Sequence, residues 1–315
     1  MSARVHCIIL NWRTAEMTLD ATRAAFAAMD GIEGAITIVD NDSQDGSFEQ
    51  MQAATADWPR VRVLQSGRNG GYGAGNNHGI RAGLSEGVAA DYVYILNSDA
   101  FPAPDAIRTL LDYLEAHPGV GLAGSHIHGP DGTPHTTAFR FPSIAGEFEG
   151  AACIGLVSRL LKNSIVAPPL PTQTTRVDWL AGASVMIRQA VLDEIGLFDE
   201  TFFLYFEETD LCRRAARAGW PTVYVTESRV SHIGSVSTGM KDWRRTPQYW
   251  FASRHHYFVK NHGRIYAWTA TLAHWLGLAL FRIKARMQGK KPHTPPYFFR
   301  DFVTYCFGLR PRPEK

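Results

Sequence analysis

Val5-His6-Cys7-Ile8-Ile9-Leu10-Asn11 is an almost continuous apolar run closed by an amide side chain. A run without polar alternation reads as a strand covered on both faces, the kind found inside parallel sheets. The unit recurs down the first 125 residues. Residues 35–39 form a second such run ending at Asp40, 61–64 a third, 92–96 a fourth ending in Asn97-Ser98-Asp99, and 119–123 a fifth. Helical segments fall between them, around 15–29, from near Ser47, from the glycines at 71–75, and after Pro104. Short apolar strands separated by helices predict an α/β fold, with a Rossmann-like, mostly parallel sheet flanked by helices. Ligands of such sheets bind beyond the carboxyl ends of the strands. Asn11, Asp40, Asp42 and Asp99 all stand at or just past such ends.

The stretch 129–175 is rich in Gly, Pro and Thr and predicts loops or a lid. Order returns at Asp178-Trp179-Leu180-Ala181-Gly182, followed by a strand over 183–187 and a helix over Gln189–Ile195. Next comes Phe202-Phe203-Leu204-Tyr205-Phe206-Glu207-Glu208-Thr209-Asp210, an aromatic run that ends in three carboxylates. Carboxylates at an apolar edge repel one another and resist desolvation, so they call for a cation, a helix N-terminus or a proton to accept. The residues that follow form a helix stopping at Gly219, which puts the three acids in its first turn. Glu207 and Asp210 share a face, and Glu208 points about 100° away. Asp210 therefore reads as structural, paired with Arg213 or Arg214. A last strand over 222–225 leads to Ser231-His232.

The 315 residues, 45% hydrophobic and 20% charged, are those of a globular protein. Cys7, Cys153, Cys212 and Cys306 lie far apart without metal-ligand spacing, which predicts reduced thiols in a reducing compartment. The chain enters a strand at once and leaves no room for a signal peptide. The net charge of +2 conceals an asymmetry. Residues 242–315 hold 14 Lys and Arg against 3 Asp and Glu, and the remainder holds 18 against 27. A basic tail on an acidic body points to an anionic partner, either nucleic acid or a membrane leaflet. Two domains are expected, 1–240 carrying the sheet and 241–315 as a basic, aromatic helical appendage. Within the tail, 268–281 is apolar over 14 residues, short of the ~20 that span a bilayer. It holds His274 and is followed by Arg282, Lys284, Arg286, Lys290 and Lys291, with Trp243, Trp250, Trp268, Trp275 and Tyr297-Phe298-Phe299 interspersed. This mixture fits a helix lying in the headgroup region or one packed on the catalytic domain, and the two are compatible.

Gly73-x-Gly75-x-x-x-Gly79 imitates a dinucleotide fingerprint, but that fingerprint belongs on the first strand–helix turn, which here reads Asn11-Trp12-Arg13-Thr14. The strand-end acids carry more information. Asp40 is placed to accept hydrogen bonds from a base or ribose. Asp99 closes an apolar strand, where a carboxylate is costly without a cation. One or two carboxylates with a substrate diphosphate are the usual setting for Mg²⁺ or Mn²⁺. A helix N-cap is the structural alternative for either Asp.

Taken together, Ile8-Ile9-Leu10-Asn11-Trp12, Val39-Asp40-Asn41-Asp42-Ser43, Asn69 to Asn77, Leu96-Asn97-Ser98-Asp99, Gly196 to Glu200 and Phe206 to Arg213 resemble the motifs of glycosyltransferase family 2, inverting enzymes of the GT-A fold. They cover roughly residues 4–235 in family order, and the pattern is most similar to bacterial rhamnosyltransferase-like enzymes of surface polysaccharide assembly.

The resemblance implies a nucleotide pocket lined by Asn11, Asp40, Asp42, Arg68, Gly71, Asn76, Asn97 and Ser98, with Asp40 on the nucleobase. It implies that Asp99, with His232, holds Mg²⁺ or Mn²⁺ on the diphosphate, although Asn97 stands where the family has the first Asp of Asp-x-Asp. The second acid of the family's Glu-Asp-x-Asp, here Glu208, would be the general base. Glutamate reaches one methylene further than aspartate, so Glu207 is the rival base. Trp179 and Asp178 would border the acceptor. The implied protein is a cytoplasmic glycosyltransferase, peripheral on the inner face of the membrane. It would move a sugar, rhamnose from dTDP-rhamnose first and a UDP-sugar next, onto a hydroxyl of a surface or lipid-linked glycan. A transferase-like binding module without catalysis is the alternative, against which intact Asp99 and Glu208 argue. A nucleotidyltransferase would show an N-terminal Gly-rich loop with a basic residue, absent here, and nucleic acid is not the expected partner.

Overall fold

The computed structural model describes residues 3–84, 88–234, 243, 245–289, 295 and 297–306. In chain order its elements are β1 (Arg4–Asn11), α1 (Ala15–Ala28), β2 (Glu33–Asp40), α2 (Ser47–Ala54), β3 (Val61–Gln65), α3 (Tyr72–Ala82), β4 (Tyr92–Asn97), β5 (Ala100–Pro102), α4 (Ala106–Ala116), β6 (Leu122–His128) and β7 (Ala138–Phe139). There follow α5 (Ile144–Ala152), α6 (Gly155–Leu160), β8 (Thr175–Val177), β9 (Trp179–Leu180), β10 (Ser184–Arg188), α7 (Gln189–Ile195), α8 (Glu207–Arg217), β11 (Thr222–His232), α9 (Gln248–His262), α10 (Arg264–Met287) and α11 (Phe298–Cys306).

The chain forms two compact units. The first comprises 1–139, 169–203 and 207–238, and the second 140–168, 204–206 and 239–315. The second is thus not the contiguous tail 241–315, because two earlier segments belong to it.

The first unit is a mixed α/β layer structure around a sheet of order β3-β2-β1-β4-β10-β6-β11-β5, with β8 on β11. The pairs β3–β2, β2–β1, β1–β4 and β6–β11 are parallel. β10 enters antiparallel between β4 and β6, pairing Ser184 with Leu96 and Arg188 with Tyr92. Both faces are covered, as the apolar runs predict. Val5, Cys7 and Ile9 pack with Ala25, Met29, Leu110 and Leu114 in the main core, while Ile8 and Leu10 face the glycines of α3.

Two local expectations shift. The fifth strand begins at Leu122, not 119, because Val120 donates its N–H to His117 O in the turn after α4. The short β5 was not legible as a strand. It pairs antiparallel with β11 and sets His232 opposite Ala100.

The second unit is helical. The segment expected to form loops contributes α5 and α6 instead. Gly146 and Gly150 depress the helix propensity of α5, but Ser143 caps it by accepting the Gly146 N–H at 3.1 Å. Packing supplies the rest, since a Cβ on Gly277 of α10 would come within 2.6 Å of Phe148 O. At this contact Glu147 accepts from Arg254 Nη2 at 2.7 Å and meets His274 Nδ1 at 2.7 Å, with Arg254 also donating to Thr271 Oγ1. His274, which interrupts the apolar run of the tail, is therefore a partner of a buried acid.

Burial raises the Glu147 carboxyl, yet Arg254 and His274 outweigh it and hold the group down to about 2. A depressed carboxyl contributes stability that is complete above the ordinary carboxylate value and is lost as pH falls toward about 2. Glu147→Gln leaves the Arg254 guanidinium, 3% exposed, without its counter-charge. The expected cost is about 3 kcal/mol, read by denaturant unfolding at neutral pH. The gap between Glu147→Gln and the parent chain should narrow on acidification below pH ~4.

Candidate active site

The carboxyl ends of β1, β2 and β4 gather the strand-end polar residues. Asn11 and Asp40 are both wholly buried and meet each other, Asn11 Nδ2 donating to Asp40 Oδ1 at 2.7 Å. Asp40 also accepts from Ser43 N at 3.0 Å, Ser43 Oγ at 2.5 Å and Gln65 Nε2 at 3.0 Å. Asn11 Oδ1 accepts from Thr18 Oγ1 at 2.7 Å. These two residues thus hold the loop after β2 against the start of α1, and their hydrogen bonds are taken up internally. The direct nucleobase contact expected of Asp40 finds both its oxygens occupied. Asp42, with a left-handed φ of 58°, is half-buried and linked to Gln44 Nε2 and Gln65 Oε1. Arg68 is exposed, 3.4 Å from Glu200.

The glycine motif acts as a packing surface. Gly71 has φ 89°, and a Cβ there would collide with the carbonyl of Phe203, which accepts the Tyr72 N–H at 2.9 Å. Gly75 lies against Leu10, and Gly79 against Ile8 and Val39. Helix α3 therefore seats directly on β1 and β2. Asn77 anchors the 196–200 turn by exchanging hydrogen bonds with the Phe198 backbone at 2.9 and 3.0 Å. Asn76 is wholly buried, and its Oδ1 has no hydrogen-bond partner.

Asn97 ends β4, and Ser98 and Asp99 follow it. His232 at the end of β11 brings Nε2 to 3.0 Å from Asp99 Oδ1 and 3.5 Å from Asn97 Nδ2. Ser98 is buried beside Thr14, 3.4 Å between hydroxyls. The two residues assigned to a metal thus do converge, although they are 133 apart in sequence. His135 adds a ring 6.1 Å from His232, edge-on.

Helix α8 separates the three acids as the 100° spacing predicts. Asp210 is wholly buried and accepts from Arg214 Nε at 2.9 Å, one of the two arginines expected beside it. Arg214 also donates to the carbonyls of Ile195, Gly196 and Leu197, stapling the end of α7. Glu207 is 2% exposed and faces Gly73 of α3. Glu208 keeps partial exposure, but its Oε2 is sealed and has no hydrogen-bond partner. It lines a small cavity with Tyr72, Ile95, Leu180, Gly182, Phe198 and Cys212.

Burial pushes the Glu208 carboxyl above the ordinary range, and the backbone N–H groups of Glu208 and Gly182 offset only part of that. The same burial pushes the Cys212 thiol up to about 11. Tyr72 closes the arrangement. Its hydroxyl donates to Gly182 O at 2.6 Å, and it lies within electrostatic reach of Glu208, Glu207 and Asp99. Gly182 ends the segment that begins with Asp178 and Trp179. Trp179 stacks on Phe139 across the β7–β9 ribbon, ring centres 4.2 Å apart and 16° from parallel. Asp178 is exposed and donates its N–H to Phe139 O.

Sequence reasoning missed Tyr72, His135 and Phe139. Tyr72 lay inside a motif read for its glycines, and the other two in a stretch read as loop.

Residues 3–264 match the model of the glycosyltransferase-like family 2. The chain is 33% identical over 211 residues to an N-acetylglucosaminyl-diphospho-decaprenol L-rhamnosyltransferase of Mycobacterium tuberculosis, covering 65% of this chain and 68% of that one. It is 26% identical over 168 residues to rhamnosyltransferase WbbL of Escherichia coli, covering 52% and 61%. Among solved structures, a mannosyltransferase of Pyrobaculum calidifontis in complex with GDP-Man and Mn²⁺ superposes with a TM-score of 0.59 at 14% identity, covering 98% and 80%. The structure of GalNAc-T7 with UDP, GalNAc and Mn²⁺ gives 0.53 at 14% identity, covering 99% and 59%. These two likenesses establish a GT-A-type fold.

Two substitutions test this geometry by thermal denaturation. Arg214→Ala removes the guanidinium beside buried Asp210 and should cost about 3 kcal/mol. Glu208 has a raised pKa, so its contribution to stability is complete below the ordinary carboxylate value and lost as pH rises through the raised one. Glu208→Gln should therefore melt higher than the parent chain at pH ~8 and lose that advantage near pH ~4. An equal or lower melting temperature at the higher pH would show that Glu208 is not a desolvated carboxylate.

Proposed function

We propose, for a chain that belongs to glycosyltransferase family 2, a transfer of rhamnose from dTDP-rhamnose, with inversion, to a hydroxyl of a surface or lipid-linked glycan. Family membership makes it a glycosyltransferase, working with a nucleotide-sugar donor and a glycan acceptor. The finer assignment draws support from the two rhamnosyltransferase relatives. The observation that carries the mechanism is Glu208, whose Oε2 is sealed without a hydrogen-bond partner in the small cavity it shares with Tyr72, Gly182 and Cys212.

Inverting transfer is one displacement. The acceptor oxygen bonds to the anomeric carbon as the bond from that carbon to the diphosphate oxygen breaks, and a base takes the hydroxyl proton. In our reading Glu208 takes it. Desolvation raises its proton affinity toward the working pH, which is what a general base requires. Gly182, held by Tyr72, orients it, and the stacked Trp179 and Phe139 offer the acceptor sugar an apolar face.

Asp99 and His232 fit a divalent cation. They supply one anionic oxygen and one imidazole nitrogen at the same point, and Mg²⁺ or Mn²⁺ commonly takes few protein groups and completes its shell with diphosphate and water. Among the described residues no third His, Cys, Asp or Glu joins them. When bound, the cation would neutralise charge on the departing dTDP. Mn²⁺ accompanies the nucleotide in both solved neighbours, which supports this reading. The buried, free thiols of Cys7 and Cys212 support a reducing, cytoplasmic setting.

The first test is a thermal shift with dTDP-rhamnose, UDP-sugars and GDP-sugars, each with and without Mn²⁺. The largest stabilisation is expected from dTDP-rhamnose with metal, and a larger shift with a UDP- or GDP-sugar would replace the donor. Glu208→Gln should lower transfer on the order of 10²- to 10⁴-fold with donor binding nearly intact. Loss of transfer in Glu207→Gln and its survival in Glu208→Gln would reverse the assignment. Donor binding without donor hydrolysis or transfer would favour a binding module.

A further inference from the structure

Helix α10 is apolar on two opposite faces. The inner face, Ala267, Ala270, Gly277, Leu278 and Ala285, is buried, with small side chains that let α5 approach closely. The outer face carries Ile265, Trp268, Leu272, Leu276, Leu280 and Ile283, each between 42% and 84% exposed. At 100° per residue these six fall within an arc of about 120° and run along ~27 Å of the helix. A stripe that long on the surface of a folded chain calls for an occupant.

Charge selects the occupant. Helix α10 contains no Asp or Glu, and its cations are Arg264, Arg282, Lys284 and Arg286. Arg282 and Lys284 stand about 100° to either side of the stripe's midline, with Arg282 also over the ring of Phe299 at 4.4 Å. Lys284 Nζ donates to Cys153 O at 2.8 Å. Helix α6 starts two residues after Cys153 and carries Leu156 and Leu160, which are likewise exposed. A second copy of this helix laid along the stripe would bring cations against cations. An anionic lipid surface offers acyl chains to the stripe and phosphates to its flanks. Trp268 and Trp275 on the outer side suit the headgroup boundary. Among the described residues no helix is long and apolar enough to cross a membrane.

The geometry points to α10 lying flat in the interface of an anionic bilayer, its outer stripe against the acyl boundary and Arg282 and Lys284 on the headgroup phosphates. The inference does not depend on which donor or acceptor the first unit takes.

The test is flotation of the full chain with vesicles of phosphatidylcholine alone and of phosphatidylcholine with phosphatidylglycerol. Strong partition is expected only with the anionic lipid, weakening as salt is raised. Leu272→Asp with Leu276→Asp should abolish partition while leaving the melting temperature and any donor-induced thermal shift unchanged, since both side chains already face outward. Arg282→Gln with Lys284→Gln should weaken partition about thirtyfold at low salt, roughly fivefold for each cation. Absence of vesicle binding by a cooperatively folded chain overturns the proposal. So does unchanged partition in the Leu272→Asp, Leu276→Asp variant. If light scattering shows a dimer that this variant dissociates and vesicles do not compete for, the stripe is a self-association face instead.

Discussion

Helix α3 can lie directly on the sheet only because residues 75 and 79 have no Cβ. Gly75 and Gly79 bring it onto Leu10, Ile8 and Val39, and Gly71 admits the Phe203 carbonyl to its first turn. Much of the first unit's polar arrangement depends on that close approach. It sets Tyr72 where its hydroxyl reaches Gly182, and Asn77 where it grips the Phe198 backbone. It also brings the chain that precedes α8 beside α3, so that Glu207 and Glu208 begin their helix next to Tyr72. A side chain at any of these positions would push on backbone or on packed aliphatic groups, which have little freedom to yield.

The acids around this point divide by what surrounds them. Asp40 and Asp210 are fully buried and fully engaged, one by Asn11, Ser43 and Gln65, the other by Arg214. They hold loops and helix ends in place. Glu208 has one sealed oxygen without a partner, and Asp99 shares its oxygen with a histidine. A buried carboxylate oxygen without a partner, such as that of Glu208, is a candidate for chemistry. The second unit shows the opposite case in Glu147, where a buried acid among Arg254, His274 and Thr271 serves the packing of three helices.

The sheet was legible because burial on two faces demands apolar runs, and β1, β2 and β4 had them. The strand-end acids were legible because they end or follow those runs. The order of the sheet was harder to see, since β10 enters antiparallel after a long excursion and five residues carry no mark of direction. Helix α5 was hidden by two glycines and by lying in a stretch that composition assigns to loops. Tyr72 and Phe139 were hidden because their roles come from what they touch, Gly182 and Trp179, far away in the chain.

Local physics alone determined that this chain builds a layered α/β unit with carboxylates at its strand ends and three acids at the start of one helix. Hydrophobic periodicity and the helix dipole act over a few residues, so they can be read from a few residues. What surrounds each acid depended on tertiary structure. Desolvation, the arginine that reaches Asp210, the glycine amide that reaches Glu208, and the histidine that meets Asp99 are matters of distance between segments the sequence keeps apart. The outer stripe of α10 belongs to the same class, because an apolar run becomes a surface only when one of its faces is left without a neighbour.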